Sequence, residues 1–214
     1  IDYGAGVLGV EYNEIANASD GLMVYDASNN MMLYSEDFTT GNWTLRGMTW
    51  VANDIIAPDG TATAHRLNVP TGTGTPDMYR TTSVTPLGNA GSVVYVFSIY
   101  LKKATSNSSD FINIAFSDGG VGGINWGWRH IALTDEWVRH DTSFTSNESL
   151  MYFWFESCIE LDPNQRDPTV EGNVDAWGAQ LSCCDTVKPY VRTDGQFKIV
   201  QEPNVVEICA CIFA

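Results

Sequence analysis

The sequence predicts an all-β chain folded as an antiparallel two-sheet sandwich, and three observations carry that expectation. Short β-rich runs alternate with turn clusters from Met31 onward, several runs place apolar side chains at every second position, and no helix of useful length competes. Composition agrees, since the chain is 44% hydrophobic and 12% aromatic but only 17% charged, richer in rings and poorer in charge than an average soluble helical protein. Its 214 residues fit one domain with extensions.

Taken in order, residues 1–30 scatter Gly, Asn, Asp and Ser around short apolar stretches such as Gly6 to Val10, with no sustained periodicity, and read as an arm or linker. Residues 31–193 form the expected domain, punctuated at Pro58-Asp59-Gly60, Pro70-Thr71-Gly72, Leu87-Gly88-Asn89 and Ser117-Asp118-Gly119-Gly120. Because strand side chains alternate between faces, Val93, Tyr95, Phe97, Ile99 and Leu101 are assigned to the core. The same rule assigns Ile112, Ile114 and Phe116, more weakly Val138, His140, Thr142 and Phe144, and then Met151, Phe153 and Phe155. It leaves Tyr152, Trp154 and Glu156 together on an opposite face.

Residues 194–214 form a tail with two β-prone stretches, Phe197 to Val200 and Val205 to Phe213. An exposed apolar strand invites edge pairing, so the tail is expected to pair with a neighbouring subunit, with the N-terminal arm, or back on its own sandwich.

Charge and cysteine narrow the partners. Eleven Lys and Arg stand against 26 Asp and Glu, a formal charge of -15, which repels a nucleic-acid backbone. The longest apolar run, Ser92 to Leu101, falls short of the roughly 20 residues that span a bilayer, so membrane insertion is not expected. Ile1 stands where an initiator Met would, which leaves open whether the numbering begins after processing or at the edge of a longer chain. Cys158, Cys183, Cys184, Cys209 and Cys211 are odd in number and clustered late. They do not read as a disulfide framework, and their spacing does not suit structural zinc. Buried free thiols acting as small hydrophobes are the expectation.

Four blocks then become recognisable in order. They are Asn30 to Phe38 followed by Asn42-Trp43; Ala57 to Ala64 with Leu67; Tyr95 to Lys102 with the later Trp137 and Arg139; and Val174 to Leu181 followed by Pro189-Tyr190-Val191-Arg192-Thr193. Together they resemble the carbohydrate-binding-module-like jelly-roll domains that recur in bacteriophage tail and virion proteins, over about residues 30 to 193. The resemblance implies a two-sheet jelly roll used for adhesion or decoration beside other virion proteins or copies of itself, with a virion location. The alternative is a glycan-binding module of a secreted polysaccharide-degrading enzyme. The chain departs from the pattern at Cys183-Cys184 and after Thr193.

No catalysis is expected. The acidic residues fall mainly in turns, no Gly-x-Ser-x-Gly occurs, and His65, His130 and His140 are isolated. Sugar binding by sheets uses aromatic faces beside polar groups that bond hydroxyls. Trp126, Trp128, Trp137, Arg139, Tyr152, Trp154 and Glu156 are the candidates, with packing against another subunit as the competing use of the same rings. The resemblance also implies a structural calcium near the first and last strands, for which Glu36, Asp37 and Asp175 lie in the matching blocks. Capping of turns by those carboxylates is the alternative. Polysaccharide and calcium are thus the ligands expected, and nucleic acid is not.

Overall fold

A computed structural model describes residues 27–39, 43–69, 77–83, 93–118, 126–146, 150–156, 159–162, 165–167, 172–196 and 198–201. Every regular element among them is a strand. One five-stranded sheet, here the front sheet, runs in the order β2 (Trp43–Arg46), β5 (Asp77–Ser83), β10 (Leu150–Glu156), β7 (Phe111–Asp118), β8 (Trp126–Ala132). A second, the back sheet, runs β3 (Thr49–Ile55), β4 (Ala64–Val69), β13 (Gly172–Ser182), β6 (Val93–Lys103), β9 (Val138–Ser146). All pairings in both are antiparallel. The chain is a jelly-roll β-sandwich, as expected.

The core lies between the sheets. Tyr95, Phe97, Ile99 and Leu101 of β6 are buried there, as the alternation requires, and meet Ile112 and Ile114 of β7 and Ile131 of β8. The weaker run is only partly inside: Phe144 is buried and stacks on Tyr95 at 5.7 Å, whereas Val138 is exposed at the sheet edge.

Strand β13 shows how one residue resets a pattern. Val174 and Ala176 enter the core, and so do Ala179 and Leu181, so the inward set changes from even to odd positions. The change falls where three steps on β13, Trp177 to Gln180, face two on β6, Tyr100 to Ser98. That is a bulge carrying one extra residue. Gly178 supplies it at φ 67°, a left-handed conformation that costs glycine nothing.

Residues on both sides of the expected domain boundaries belong to the fold. β1 (Ala27–Asn30) pairs antiparallel with β14 (Lys198–Gln201), which answers the pairing question for that part of the tail. The rest of the tail, including Val205 to Phe213, lies outside the described residues, as do residues 1–26. Two further short strands, β11 (Ile159–Asp162) and β12 (Gln165–Asp167), form a separate hairpin-like pair.

Asn30 fastens the beginning of the domain to its end. Fully buried, it donates from Nδ2 to the carbonyls of Ala179 and Val191 and accepts at Oδ1 from the amides of Met32 and Leu181. Gln180 adds a second clamp, accepting from the Val191 amide and donating to the Pro189 carbonyl. Cys183 and Cys184 are buried beside it but are not free thiols: both are disulfide-bonded. Their burial agrees with the expectation of small hydrophobes, and their oxidation departs from free thiols.

Candidate functional site

The predicted sugar-binding residues fall on two different sheets. Tyr152, Trp154 and Glu156 lie on β10, and Trp126 and Trp128 on β8, all in the front sheet. Which face they occupy follows from described neighbours. Trp43, Ile112, Ile114 and Ile131 are buried in the core, whereas of the alternating set Thr44 and Phe111 are exposed, His130 is half-buried and Asn113, bonded to His130, is buried. With no register shift in these pairings, the alternating set lies on the outer face.

Three rows cross that face. Thr81, Tyr152, Ser117 and Trp126 form one; Thr44, Tyr79, Trp154, Ala115 and Trp128 the next; Arg46, Asp77, Glu156, Asn113 and His130 the third. Five of the seven predicted sugar-binding residues therefore share one surface, with the aromatic residues in adjacent rows. At its β7–β8 end, the Phe111 ring stacks on His130 at 4.7 Å and 24°, and His130 Nδ1 lies 2.8 Å from Asn113 Oδ1. Sequence reasoning missed Tyr79, Phe111, Asn113 and His130. Phe111 carried a signal: it is out of phase with the apolar Ile112 and Ile114, so it points away from the core.

The other two predicted residues are used for packing on the back sheet. Arg139 donates to Ser98 Oγ from Nε and Nη2, at 3.2 and 2.9 Å, and to the Lys188 carbonyl from Nη1 at 2.8 Å. Its guanidinium lies over the Tyr100 ring at 5.5 Å. Trp137 donates from Nε1 to the Ile56 carbonyl at 3.0 Å, with Lys102 Nζ 5.0 Å from its ring centre. Trp177, Tyr100 and Tyr190 pack together on the same face. The segment from Cys183 to Thr193 passes over this face, because its carbonyls and amides serve Arg139, Gln180 and Asn30.

The predicted metal ligands are likewise divided. Glu36 and Asp37 line a cavity of about 380 Å³ with Thr63, His65, Arg192 and Asp194. Burial pushes the Glu36 carboxyl up, against the pull of Arg192 and the Tyr190 hydroxyl. Those two partners lie 3.2 Å from Oε2 and 3.1 Å from Oε1. Asp37 holds a turn by accepting from the Thr39 amide and hydroxyl.

Asp175 is not part of that cavity. It is fully buried on β13, and both its oxygens accept from Arg66, Nε at 2.6 Å and Nη2 at 2.9 Å. This bidentate bond, and the charge of Asp175, hold the Arg66 guanidinium above its ordinary pKa against the cost of burial. Calcium needs six to eight convergent oxygens. Asp175, engaged by Arg66, stands apart from the cavity that Glu36 and Asp37 line, and among the described residues no group of three or more His, Cys, Asp and Glu is placed to hold a metal ion.

No protein-family model and no curated protein matches the sequence. Among solved structures, the fold is similar to the enzymatically active domain of tailspike protein 4 of bacteriophage CBA120, at 14% identity and TM-score 0.49. That match covers 72% of this chain and 21% of the tailspike chain, so this chain spans a small part of that protein's length. It is also similar to the xylan-binding CBM22-1 domain of Paenibacillus barcinonensis Xyn10C, at 15% identity and TM-score 0.48, covering 75% of this chain and 96% of that one. A third is the family 61 module solved with β-1,4-galactotriose, at 15% and 0.45, covering 73% and 99%. At these identities the likeness concerns the fold.

Proposed function

We propose that this chain is a non-catalytic glycan-binding module of a virion structural protein, and that its ligand rests on the outer face of the front sheet. One observation carries the reading: strand register gathers Tyr79, Tyr152, Trp154, Trp126 and Trp128 into adjacent rows on one face. Acidic residues follow in the next row, where Asp77 and Glu156 stand in register. Aromatic residues offer broad apolar area to sugar rings, and neighbouring carboxylates accept from hydroxyls. No chemistry on the glycan is needed for adhesion or decoration.

The test is direct. Replacing Trp154 or Trp128 by Ala should lower glycan affinity by about tenfold or more, the scale of one lost stacking partner, while leaving the melting temperature unchanged. Equal binding by both variants on an array that retains wild-type protein removes the face from the function.

A second reading, a module of a secreted polysaccharide-degrading enzyme, fits the oxidised Cys183 and Cys184 as well as the first does, since disulfides persist in secreted proteins and on virion surfaces alike. Finding the chain in purified virus particles supports the first reading. Finding it in the culture medium joined to a glycosidase domain supports the second.

A further inference from the structure

Cys183 and Cys184 are both disulfide-bonded, and the chain holds three other cysteines, Cys158, Cys209 and Cys211. A bond between the two neighbours is opposed by the directions of their side chains. Ala179, Leu181 and Cys183 belong to the core cluster and continue the inward series of β13 past its bulge. Gln180 and Ser182 bond to each other on the opposite side. Cys184 follows them out of the core, where Asn29 Nδ2 donates to its Sγ at 3.9 Å. A disulfide needs its Cβ atoms about 3.5–4.5 Å apart with the sulfurs turned toward one another, and neighbours on opposite sides of a chain do not offer that.

Cys158 stands at the wrong end of the sandwich. It comes just after Glu156, the last residue of β10, and Glu156 pairs with Asn113 near the start of β7. That end of β7 is fixed beside the start of β13, because the Ser109 amide donates to the Asn173 carbonyl at 3.0 Å. Both strands then run the same way. Cys183 lies past the far end of β13, about 30 Å from Asn173 by strand rise, whereas Asn113 is only about 13 Å from Ser109. With sheets about 10 Å apart, roughly 20 Å separates Glu156 from Cys183. The two residues from Glu156 to Cys158 and a disulfide together span only about 14 Å.

The C-terminal tail is close enough. Asn29 touches both cysteines, since its Oδ1 also accepts from the Cys183 amide at 3.2 Å, and it pairs with Ile199 of β14. That strand ends at Gln201, about 7 Å beyond Ile199 by strand rise. The chain from Gln201 to Cys209 extends up to about 26 Å.

We infer that Cys183 and Cys184 are bonded one each to Cys209 and Cys211, so that two disulfides strap the apolar tail segment 205–213 to the end of its own sandwich, and Cys158 keeps its thiol. Each bond forms by exchange with an external disulfide oxidant. Two thiols lose two protons and two electrons, and the oxidant's disulfide becomes two thiols. A β-prone segment held in this way is withheld from edge pairing with other copies. The strap is independent of the glycan-binding reading.

Peptide mapping of the whole chain, alkylated in denaturant and digested at glutamate without reduction, tests it. Cleavage after Glu171 and Glu207 puts Cys183 and Cys184 in fragment 172–207 and the tail pair in 208–214, and cleavage after Glu156 and Glu160 isolates Cys158 in 157–160. Mass spectrometry should find 172–207 and 208–214 joined with the loss of four hydrogens, separable by reductant, and Cys158 as the one alkylated cysteine. Recovery of 172–207 and 208–214 as separate peptides overturns the strap. So does a link between 157–160 and 172–207, which would mean that the two ends of the sandwich are closer than the strand registers place them. A disulfide-linked dimer on a non-reducing gel overturns closure within one chain and gives the tail to a second copy.

Discussion

On the outer face of the back sheet, Tyr100, Trp177 and Tyr190 pack on one another, Arg139 covers Tyr100, and Arg66 is locked to Asp175. On the outer face of the front sheet, Phe111 is 41% exposed beside His130, and the tryptophans of β8 and β10 stand in register rows. Both faces are rich in aromatic residues. On the back face, the chain's own segment from Cys183 to Thr193 crosses and meets the polar groups. Aromatic content therefore does not identify a binding face. The useful question is whether the chain already supplies the partners.

The sharpest way to break the comparison is to remove one of those internal partners. Asp175→Ala leaves the Arg66 guanidinium, 11% exposed in its side chain, without its anion, and losing one member of a buried pair costs about 3–5 kcal/mol. Denaturant unfolding should show a loss of that size. Replacing both, as Arg66→Met with Asp175→Leu, should recover most of it, because hydrophobic substitutes of similar volume avoid the desolvation cost. Since a guanidinium satisfies Asp175, chelators should leave the melting temperature of the wild type unchanged. A drop on chelation would show that a metal also holds the fold. Glycan affinity of the folded fraction should not change in either variant, the opposite of Trp154→Ala.

How far the sequence foretold this arrangement depends on the range of each interaction. Alternation is local, so β6 could be read from its own residues, and Tyr95, Phe97, Ile99 and Leu101 are buried as their spacing requires. The same alternation puts Tyr152, Trp154 and Glu156 at every second position of β10, in register with β5 and β7. Partners far apart were not legible. Arg66 and Asp175 are 109 positions apart, and nothing local to either residue announces the pair, so Asp175 looked like a free ligand. Trp137 and Arg139 looked equally available, because the segment that occupies Arg139 lies 49 positions downstream at Lys188. The bulge in β13 was hidden too: glycine permits it, but only the pairing with β6 shows that one residue is extra.

That bulge gives the next prediction. Gly178→Ala places a Cβ 3.2 Å from Tyr100 Cδ2 and 3.3 Å from Tyr190 Cε2, at a φ of +67°. The left-handed conformation alone costs a non-glycine residue about 1–2 kcal/mol, and the two rings must also give way by a few tenths of an ångström. Thermal or denaturant unfolding should register a loss of that order, smaller than that of Asp175→Ala, again with glycan binding intact. Wild-type stability would mean that the packing of Tyr100 and Tyr190 is looser than the front–back comparison requires.

The smallest effect concerns pH and the rim of the core. The His65 ring is buried edge-on against the stacked rings of Phe38 and Trp50, with centroids 5.5 and 5.3 Å away. Burial holds its pKa below the ordinary 6.5, while Asp37 pulls the other way. The folded state therefore binds this proton less readily than the unfolded chain. By linkage, His65's contribution to stability is complete above pH 6.5 and is lost as pH falls through its lowered value. His140 is lowered too, by burial and then Arg129, and acts in the same direction. Glu36 opposes them. Its raised pKa means that its share is complete below 4.5 and falls away as pH rises through the raised value. A wild-type melting curve mixes all three groups, so the difference between wild type and His65→Gln isolates one. Between neutral pH and about 5, where an ordinary histidine gains its proton, the wild type should lose melting temperature more steeply than His65→Gln. Parallel slopes would mean that His65 takes up its proton as readily in the folded protein as in the unfolded chain, and that the rim beside Phe38 and Trp50 admits water.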